Sequence, residues 1–96
     1  MPSYIVLIRY TDQGMQNIKD GPARLERARQ DYEAAGAKLK DFYLTMGSYD
    51  AVAVIEAPDD ETMARLSLAV GSRGTSRSET LRAFSEDEFR RIVGAL

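Results

Sequence analysis

Neither cysteine nor histidine occurs among the 96 residues of the chain. Without cysteine the protein can form no disulfide, no thiolate nucleophile and no cysteine-ligated metal centre. Without histidine it lacks the commonest metal ligand and the commonest general base near neutral pH. We therefore expect no metal and no cofactor, and any enzymatic proton transfer would depend on a carboxylate whose pKa is raised by burial.

Long apolar runs and a strong net charge are missing as well. Stretches such as Ile5–Ile8 and Ala51–Ile55 are far shorter than the roughly 20 residues of a membrane-spanning helix. The formal net charge is −2 with both signs interspersed, so we expect neither nucleic acid nor a membrane as a partner. The sequence enters a strand-like segment at once, without a basic cleavable leader, which indicates a cytoplasmic protein.

The first half of the chain predicts a strand followed by a helix. Residues Ser3–Tyr10 are aliphatic, aromatic or β-branched almost without interruption, which is typical of a central strand buried on both faces. Thr11–Gly14 should interrupt this strand as a loop. Apolar residues then recur at spacings of three and four, which predicts a helix over Pro22–Ala35 that ends at Gly36.

The middle of the chain predicts a β-hairpin. Strands Lys38–Met46 and Tyr49–Glu56 should pair antiparallel across a two-residue turn at Gly47–Ser48, in which Gly47 takes a positive φ. Tyr49 and Asp50 would then lie on one strand with their side chains on opposite faces. They are therefore not expected to act together as an acid–base pair.

The second half adds a helix, an edge strand and a last helix. A proline and a carboxylate cap open a helix at Pro58 that ends near Gly71. Thr75–Ala83 is a more polar strand, as expected at a sheet edge. Ser85 and Glu88 have the spacing of a capping box for a last helix. Its apolar stripe consists of Phe89, Ile92, Val93 and Leu96.

This element order, β-α-β-β-α-β with an extra C-terminal helix, predicts an α+β domain of the ferredoxin-like kind. Such a domain has a four-stranded antiparallel sheet with two helices on one face. We expect residues 1–96 to form this single domain. An all-helical bundle would require Tyr4–Tyr10 to be helical against its β propensity.

Several stretches of the sequence resemble the GYD-domain family, and together they cover nearly the whole chain. The most specific are Met46–Asp50, Glu56–Asp60, Gly71–Gly74 and Glu79–Phe84. Ser48 separates Gly47 from Tyr49, which interrupts the family's name-giving tripeptide. The resemblance implies a prokaryotic protein of unknown function with the dimeric α/β-barrel form of the fold. Related barrel families include cofactor-free monooxygenases, haem-handling enzymes, isomerases and regulatory ligand-binding domains, so the fold alone indicates none of these roles.

The sequence identifies no catalytic residue but offers candidate ligand-binding side chains. They are Tyr43, Tyr49, Asp50, Arg73, Glu79 and Arg82. Asp50 is equally suited to hydrogen bonding the backbone around the hairpin. The tyrosines are also ordinary packing and interface residues. Each of these candidates therefore has a purely structural alternative.

The charged candidates have alternatives of the same kind. Arg73 and the glycines beside it could bind an anion, but their loop follows a helix and so lacks the positive end of the helix dipole. Glu79, Arg82 and Arg9 could form a buried ion pair or bind a carboxylate. Charges on an edge strand, however, are usually solvated and prevent aggregation.

Three classes of function remain open at this point. The first is a non-catalytic or regulatory homo-oligomeric module that binds a small, mostly apolar molecule between the sheet and the helices. The second is a cofactor-independent monooxygenase- or isomerase-like enzyme acting on a small aromatic or carbonyl substrate, which the absence of histidine disfavours. The third is a structural assembly role that needs no pocket. A closed pocket with a buried carboxylate would favour the enzyme.

Self-association is expected because two helices cover only one face of a four-stranded sheet. The first strand carries apolar residues on both faces, and so does the third, where Ala51, Ala53 and Ile55 alternate with Val52 and Val54. In a monomer one of these sets would form a larger apolar surface than soluble proteins usually expose. We expect a second copy to cover it in a two-fold arrangement.

Overall fold

The computed structural model describes residues 1–96 and contains the four expected strands. The elements in chain order are β1 (Ser3–Tyr10), α1 (Asp12–Gln16), a 3₁₀ turn (Ile18–Asp20), α2 (Gly21–Ala34), β2 (Lys38–Leu44), β3 (Ala51–Glu56), α3 (Asp60–Gly71), β4 (Ser76–Ala83) and α4 (Glu86–Gly94). No helix combines the length and the apolar character needed to cross a bilayer.

The strands form one antiparallel sheet in the order β2-β3-β1-β4. β1 pairs with β3 on one side and with β4 on the other, so its predicted central position and the predicted edge position of β4 are confirmed. α2 packs over β2, and α3 packs over β4. This arrangement is the ferredoxin-like α+β fold that the order of elements predicts.

Side chains alternate between the two faces of the sheet as the sequence predicts. On the face under the helices, Tyr4, Val6, Ala53 and Ile55 are buried and pack with residues of α2 and α3. On the opposite face, Ile5 lies beside Val54 and Leu81, and Leu7 lies beside Val52. We call this second surface the open face, because no helix covers it and its residues are half-buried or exposed.

The predicted two-residue hairpin is wrong. β2 ends at Leu44 and β3 begins at Ala51, so residues 45–50 form a longer connection. This connection is held by its own hydrogen bonds: the Thr45 amide donates to the Asp50 carbonyl at 2.9 Å, and the Asp50 amide donates to the Ile8 carbonyl at 2.8 Å. The prediction for Gly47 is confirmed, since its φ is +124°.

The segment after β1 is not the loop that was expected. It forms α1, whose first turn is capped by the Thr11 hydroxyl accepting from the Gly14 amide at 3.1 Å. The Thr11 amide donates to the carbonyl of Thr75 at 3.1 Å, which ties α1 to the start of β4. Gly14 lies against the same Thr75 carbonyl, so closely that a Cβ atom would overlap it. This contact requires glycine at position 14.

The last helix begins where the sequence predicts. Ser85 and Glu88 form the complete capping box, with the Glu88 amide donating to the Ser85 hydroxyl at 3.1 Å and the Ser85 amide donating to the Glu88 carboxylate at 2.9 Å. α4 has no buried residue, however. Phe89, Ile92 and Val93 are exposed, so the apolar stripe of α4 does not cover the open face of its own chain.

Tyr4 links the sheet to the start of α3 and gives a prediction for alkaline pH. Its hydroxyl donates to the Asp60 carboxylate. Burial, and then the hydrogen bond to Asp60, raise the pKa of Tyr4 to about 12. Because the folded-state pKa lies above the unfolded value of 10.0, this group stabilises the fold below pH 10 and loses that contribution as the pH rises to about 12.

Replacing Tyr4 with phenylalanine should therefore flatten the fall in unfolding free energy between pH 10 and about pH 12. Urea titrations of the parent and of Tyr4→Phe at several alkaline pH values measure the difference. An equally steep alkaline loss in both proteins would contradict the assignment of this titration to Tyr4.

Candidate functional site

A cavity of about 280 Å³ lies between α2 and the sheet. Its walls consist mainly of apolar and aromatic side chains, namely Ile8, Tyr10, Leu25, Ala28, Tyr32, Leu39, Phe42, Ala53 and Val70. Leu25, Ala28 and Tyr32 recur at spacings of three and four, which turns them to the same side of α2. Two of the lining positions, Ala28 and Ala53, are small and buried, and this leaves the space free.

Arginines supply all the charge in the cavity lining. They are Arg24 and Arg27 on α2 and Arg73 in the loop after α3, and no carboxylate lines the cavity. The Arg24 guanidinium donates to the Asn17 carbonyl at 2.7 Å and to the Gly14 carbonyl at 3.2 Å. Arg73 forms an ion pair with Asp31. Arg27 is exposed and makes no hydrogen bond or ion pair within the chain.

Two tyrosines add phenol groups to the wall of the cavity. Tyr32 is only 7% exposed, but its hydroxyl oxygen remains accessible and makes no hydrogen bond within the chain. Burial raises the pKa of Tyr32, and the charge of the nearby Arg73 partly opposes that rise. Burial also raises the pKa of Tyr10. Both phenols are therefore neutral near pH 7 and are able to donate a hydrogen bond.

Of the sequence-predicted binding residues, only Arg73 lines this cavity. The Asp50 carboxylate instead accepts a hydrogen bond from the Tyr10 amide at 2.9 Å, which is the structural role described as its alternative. Asp50 also precedes β3, so the expectation that Tyr49 and Asp50 occupy one strand is wrong. Tyr43 is 59% exposed and lies beside Val52 on the open face.

Tyr49 and Glu79 meet at the rim of the open face. The Tyr49 hydroxyl donates to Glu79 Oε2 at 2.7 Å, and this hydrogen bond raises the pKa of Tyr49. The guanidinium of Arg9 lies 4.7 Å from the centre of the Tyr49 ring, and its Nε donates to the Ser48 carbonyl at 2.8 Å. These contacts join the 45–50 connection to β1 and β4.

The possible ion pair among Glu79, Arg82 and Arg9 does not form. Glu79 and Arg82 are three positions apart on β4, so their side chains point to opposite faces. Arg82 lies 4.5 Å from the centre of the Phe84 ring and 5.7 Å from that of Tyr4. Arg9 is occupied by Tyr49 instead. The six candidates are thus distributed over separate regions, and no three acidic side chains lie close enough to hold a metal.

Sequence reasoning missed most of the cavity, in particular Arg24, Arg27 and Tyr32. The heptad-like spacing of Leu25, Ala28 and Tyr32 identifies the buried side of α2. Arg24 and Arg27 could not be told from ordinary solvated charges, because the space beside them depends on the small side chain at Ala53 in a distant strand.

The family of the chain is established by comparison with known proteins. The model of the GYD domain matches residues 4–93. The chain belongs to the GYD-domain family. A relative from Thermus thermophilus, named glutamine synthetase and cystathionine beta-lyase binding protein, is 38% identical over 84 residues, which cover 86% of this chain and 88% of the relative.

Solved structures resemble the fold over most of the chain. A crystal structure of a Thermus thermophilus protein is 25% identical, with a TM-score of 0.56, and the match covers 88% of this chain and 95% of that one. The leucine response regulatory protein of Mycobacterium tuberculosis is 20% identical, with a TM-score of 0.63, over 90% of this chain. This chain spans 54% of that regulator, and the likeness supports the ferredoxin-like fold alone.

Proposed function

We propose that this GYD-domain protein is a homo-oligomeric binding module that takes a small, mostly apolar molecule into the cavity between α2 and the sheet. The cavity itself carries the proposal. Its volume of about 280 Å³ lies just below the usual range of ligand pockets, which begins near 300 Å³, and therefore suits a small ligand. Mostly apolar walls with a few convergent polar groups are the usual composition of such a site.

The composition of the cavity favours binding over catalysis. A cofactor-independent enzyme on this fold would need a general base, and the chain has no histidine. No carboxylate lines the cavity. The pKa values of Tyr10 and Tyr32 are raised, which is the wrong direction for a phenol that must accept a proton near neutral pH.

The homo-oligomeric part of the proposal rests on two uncovered apolar surfaces. Ile5, Leu7 and Val54 are half-buried on the open face, and Leu81 beside them is exposed. The stripe of α4 is exposed as well. Soluble monomers seldom leave connected apolar patches larger than a few hundred Å² in water. A second copy related by a two-fold axis would bury the open face against the same face of its partner.

The Thermus relative supports a role in binding, since its name records binding to two enzymes. For this chain we carry over only the general role, a small module that binds and thereby influences another molecule. The open face and α4 are the surfaces available for contacts between proteins, and the cavity is the surface available for a small ligand. The two roles occupy different sides of the sheet.

A neutral fluorescent apolar dye, N-phenyl-1-naphthylamine, tests the cavity. We expect its fluorescence to rise on binding to the parent protein. Val70→Phe adds bulk to the cavity wall and should weaken dye binding about tenfold, which corresponds to about 1.4 kcal/mol. Ala69→Phe places the same aromatic ring at an exposed position of α3 outside the cavity and should leave the affinity unchanged.

The proposal fails if the dye does not bind, or if Val70→Phe and Ala69→Phe bind it as tightly as the parent does. Circular dichroism of both variants confirms that each retains its fold before the comparison is made.

A further inference from the structure

The lining of the cavity is positively charged, although binding a purely apolar molecule requires no charge. Three of its lining residues are arginines and none is acidic. Asp31 neutralises part of the charge of Arg73, but Asp31 does not line the cavity. Arg24 is held by carbonyl oxygens, which do not cancel its charge. A net positive charge therefore faces the space in which the ligand lies.

Arg27 is the side chain best suited to meet a ligand. It is exposed at the mouth of the cavity, and its guanidinium makes no hydrogen bond or ion pair within the chain. The planar fork of a guanidinium matches the two oxygens of a carboxylate. Arg24 and Arg73 differ from Arg27 because each is already held in place by other groups of the protein.

A second observation points to the same kind of ligand. The Tyr32 hydroxyl is a donor without a partner in the chain, and its residue lines the cavity near the ion pair of Arg73 and Asp31. A ligand oxygen that accepts from this hydroxyl would add a hydrogen bond to the site. An apolar molecule without an oxygen acceptor would make no such contact with the hydroxyl or with the free guanidinium of Arg27.

We propose that the ligand is a small monocarboxylate whose apolar body fills the cavity and whose carboxylate is bound by Arg27, with Arg73 and the Tyr32 hydroxyl beside it. This inference rests on the proposed function and specifies the chemical class of its ligand. A carboxylate is acceptor-only when ionised, so it matches a site whose charged groups are all cationic donors.

A phosphate group fits the site less well. Phosphates are usually bound by free backbone N–H groups at the start of a helix. α2 begins beside the cavity at Gly21, but the Gly21 amide already donates to the Ile18 carbonyl, and Pro22 has no N–H. The start of α2 therefore offers little to a phosphate, and the arginine side chains remain as the anion-binding groups.

Competition against N-phenyl-1-naphthylamine compares three probes with the same apolar chain: octanoate, 1-octanol and octylamine. In the parent protein we expect the affinity for octanoate to be about tenfold higher than the affinity for 1-octanol. A factor of about ten is the effect expected of one hydrogen bond to a charged group. Octylamine should be the weakest of the three, since its cation faces arginines.

Arg27→Gln removes the free guanidinium and should abolish most of the preference for octanoate while leaving the affinity for 1-octanol unchanged. Arg65→Gln makes the same change of charge on α3 outside the cavity and should retain the preference. Equal affinities of octanoate and 1-octanol in the parent would overturn the carboxylate assignment, and so would an unchanged preference in Arg27→Gln. In either case the proposed function would still hold if the parent binds the dye and Val70→Phe weakens that binding. If the parent does not bind the dye, the proposed function itself is contradicted.

Discussion

Replacing Ile5 with lysine is expected to convert the protein from a dimer to a monomer. Ile5 lies in the middle of the open face, opposite Val54 on β3 and Leu81 on β4. In a dimer formed through this face, the new ammonium group would be buried among apolar side chains without a partner, which costs several kcal/mol. In a monomer the lysine stem can lie on the face while its charge reaches water. The variant therefore retains its fold and loses its partner.

Light scattering at micromolar concentration measures this change. The parent should have twice the single-chain mass of 10.7 kDa, and Ile5→Lys should have the single-chain mass. Leu68→Lys is the matched control, because Leu68 is 75% exposed on α3, on the side of the sheet away from the open face. A parent that already has the single-chain mass, or an Ile5→Lys variant that stays dimeric, would contradict assembly through the open face.

Among glycine-to-alanine replacements in this chain, Gly14→Ala should cause the largest loss of stability. The new Cβ would overlap the carbonyl oxygen of Thr75, which is backbone and cannot rotate away. Both sides of this contact are also fixed by hydrogen bonds, from the Gly14 amide to Thr11 and from the Thr11 amide to Thr75. We expect a loss of about 3 kcal/mol, at the upper end of the usual cost of overpacking.

Chemical denaturation of Gly14→Ala and of Gly71→Ala gives the comparison. A Cβ at Gly71 meets nothing within 4 Å, and its φ is not positive, so alanine there should be neutral or slightly stabilising. Equal stabilities of the two variants would show that α1 does not pack against Thr75 as described.

The fold could be derived from the sequence because each strand and long helix carries its own pattern. The apolar runs along Ser3–Tyr10 and Ala51–Glu56 are strong enough to predict the two central strands. Ser85 and Glu88 predict the start of α4 to the residue, since a capping box is a local hydrogen-bond pattern. Local patterns of this kind predict the same element in the folded protein.

The elements that were missed depend on contacts between distant residues. α1 spans Asp12–Gln16, too short for an apolar periodicity to be visible, and it is fixed by Thr75. The hydrogen bonds of Asp50 to β1 fix the end of β2 at Leu44 and the start of β3 at Ala51. The hairpin pattern in the sequence carries no information about these hydrogen bonds. The place of the candidate site between sheet and helices was predicted, but apart from Arg73 its polar residues were missed for the same reason, since the cavity exists only where α2 meets the sheet.

The most direct test of the binding module is to map where an apolar ligand lies. Fluorescence alone cannot distinguish the cavity from the open face, because both are apolar. Amide chemical shifts recorded during a titration with N-phenyl-1-naphthylamine make the distinction. We predict the largest changes at the cavity residues Leu25, Ala28 and Val70. Changes concentrated instead at Ile5 and Leu81 on the open face would contradict it.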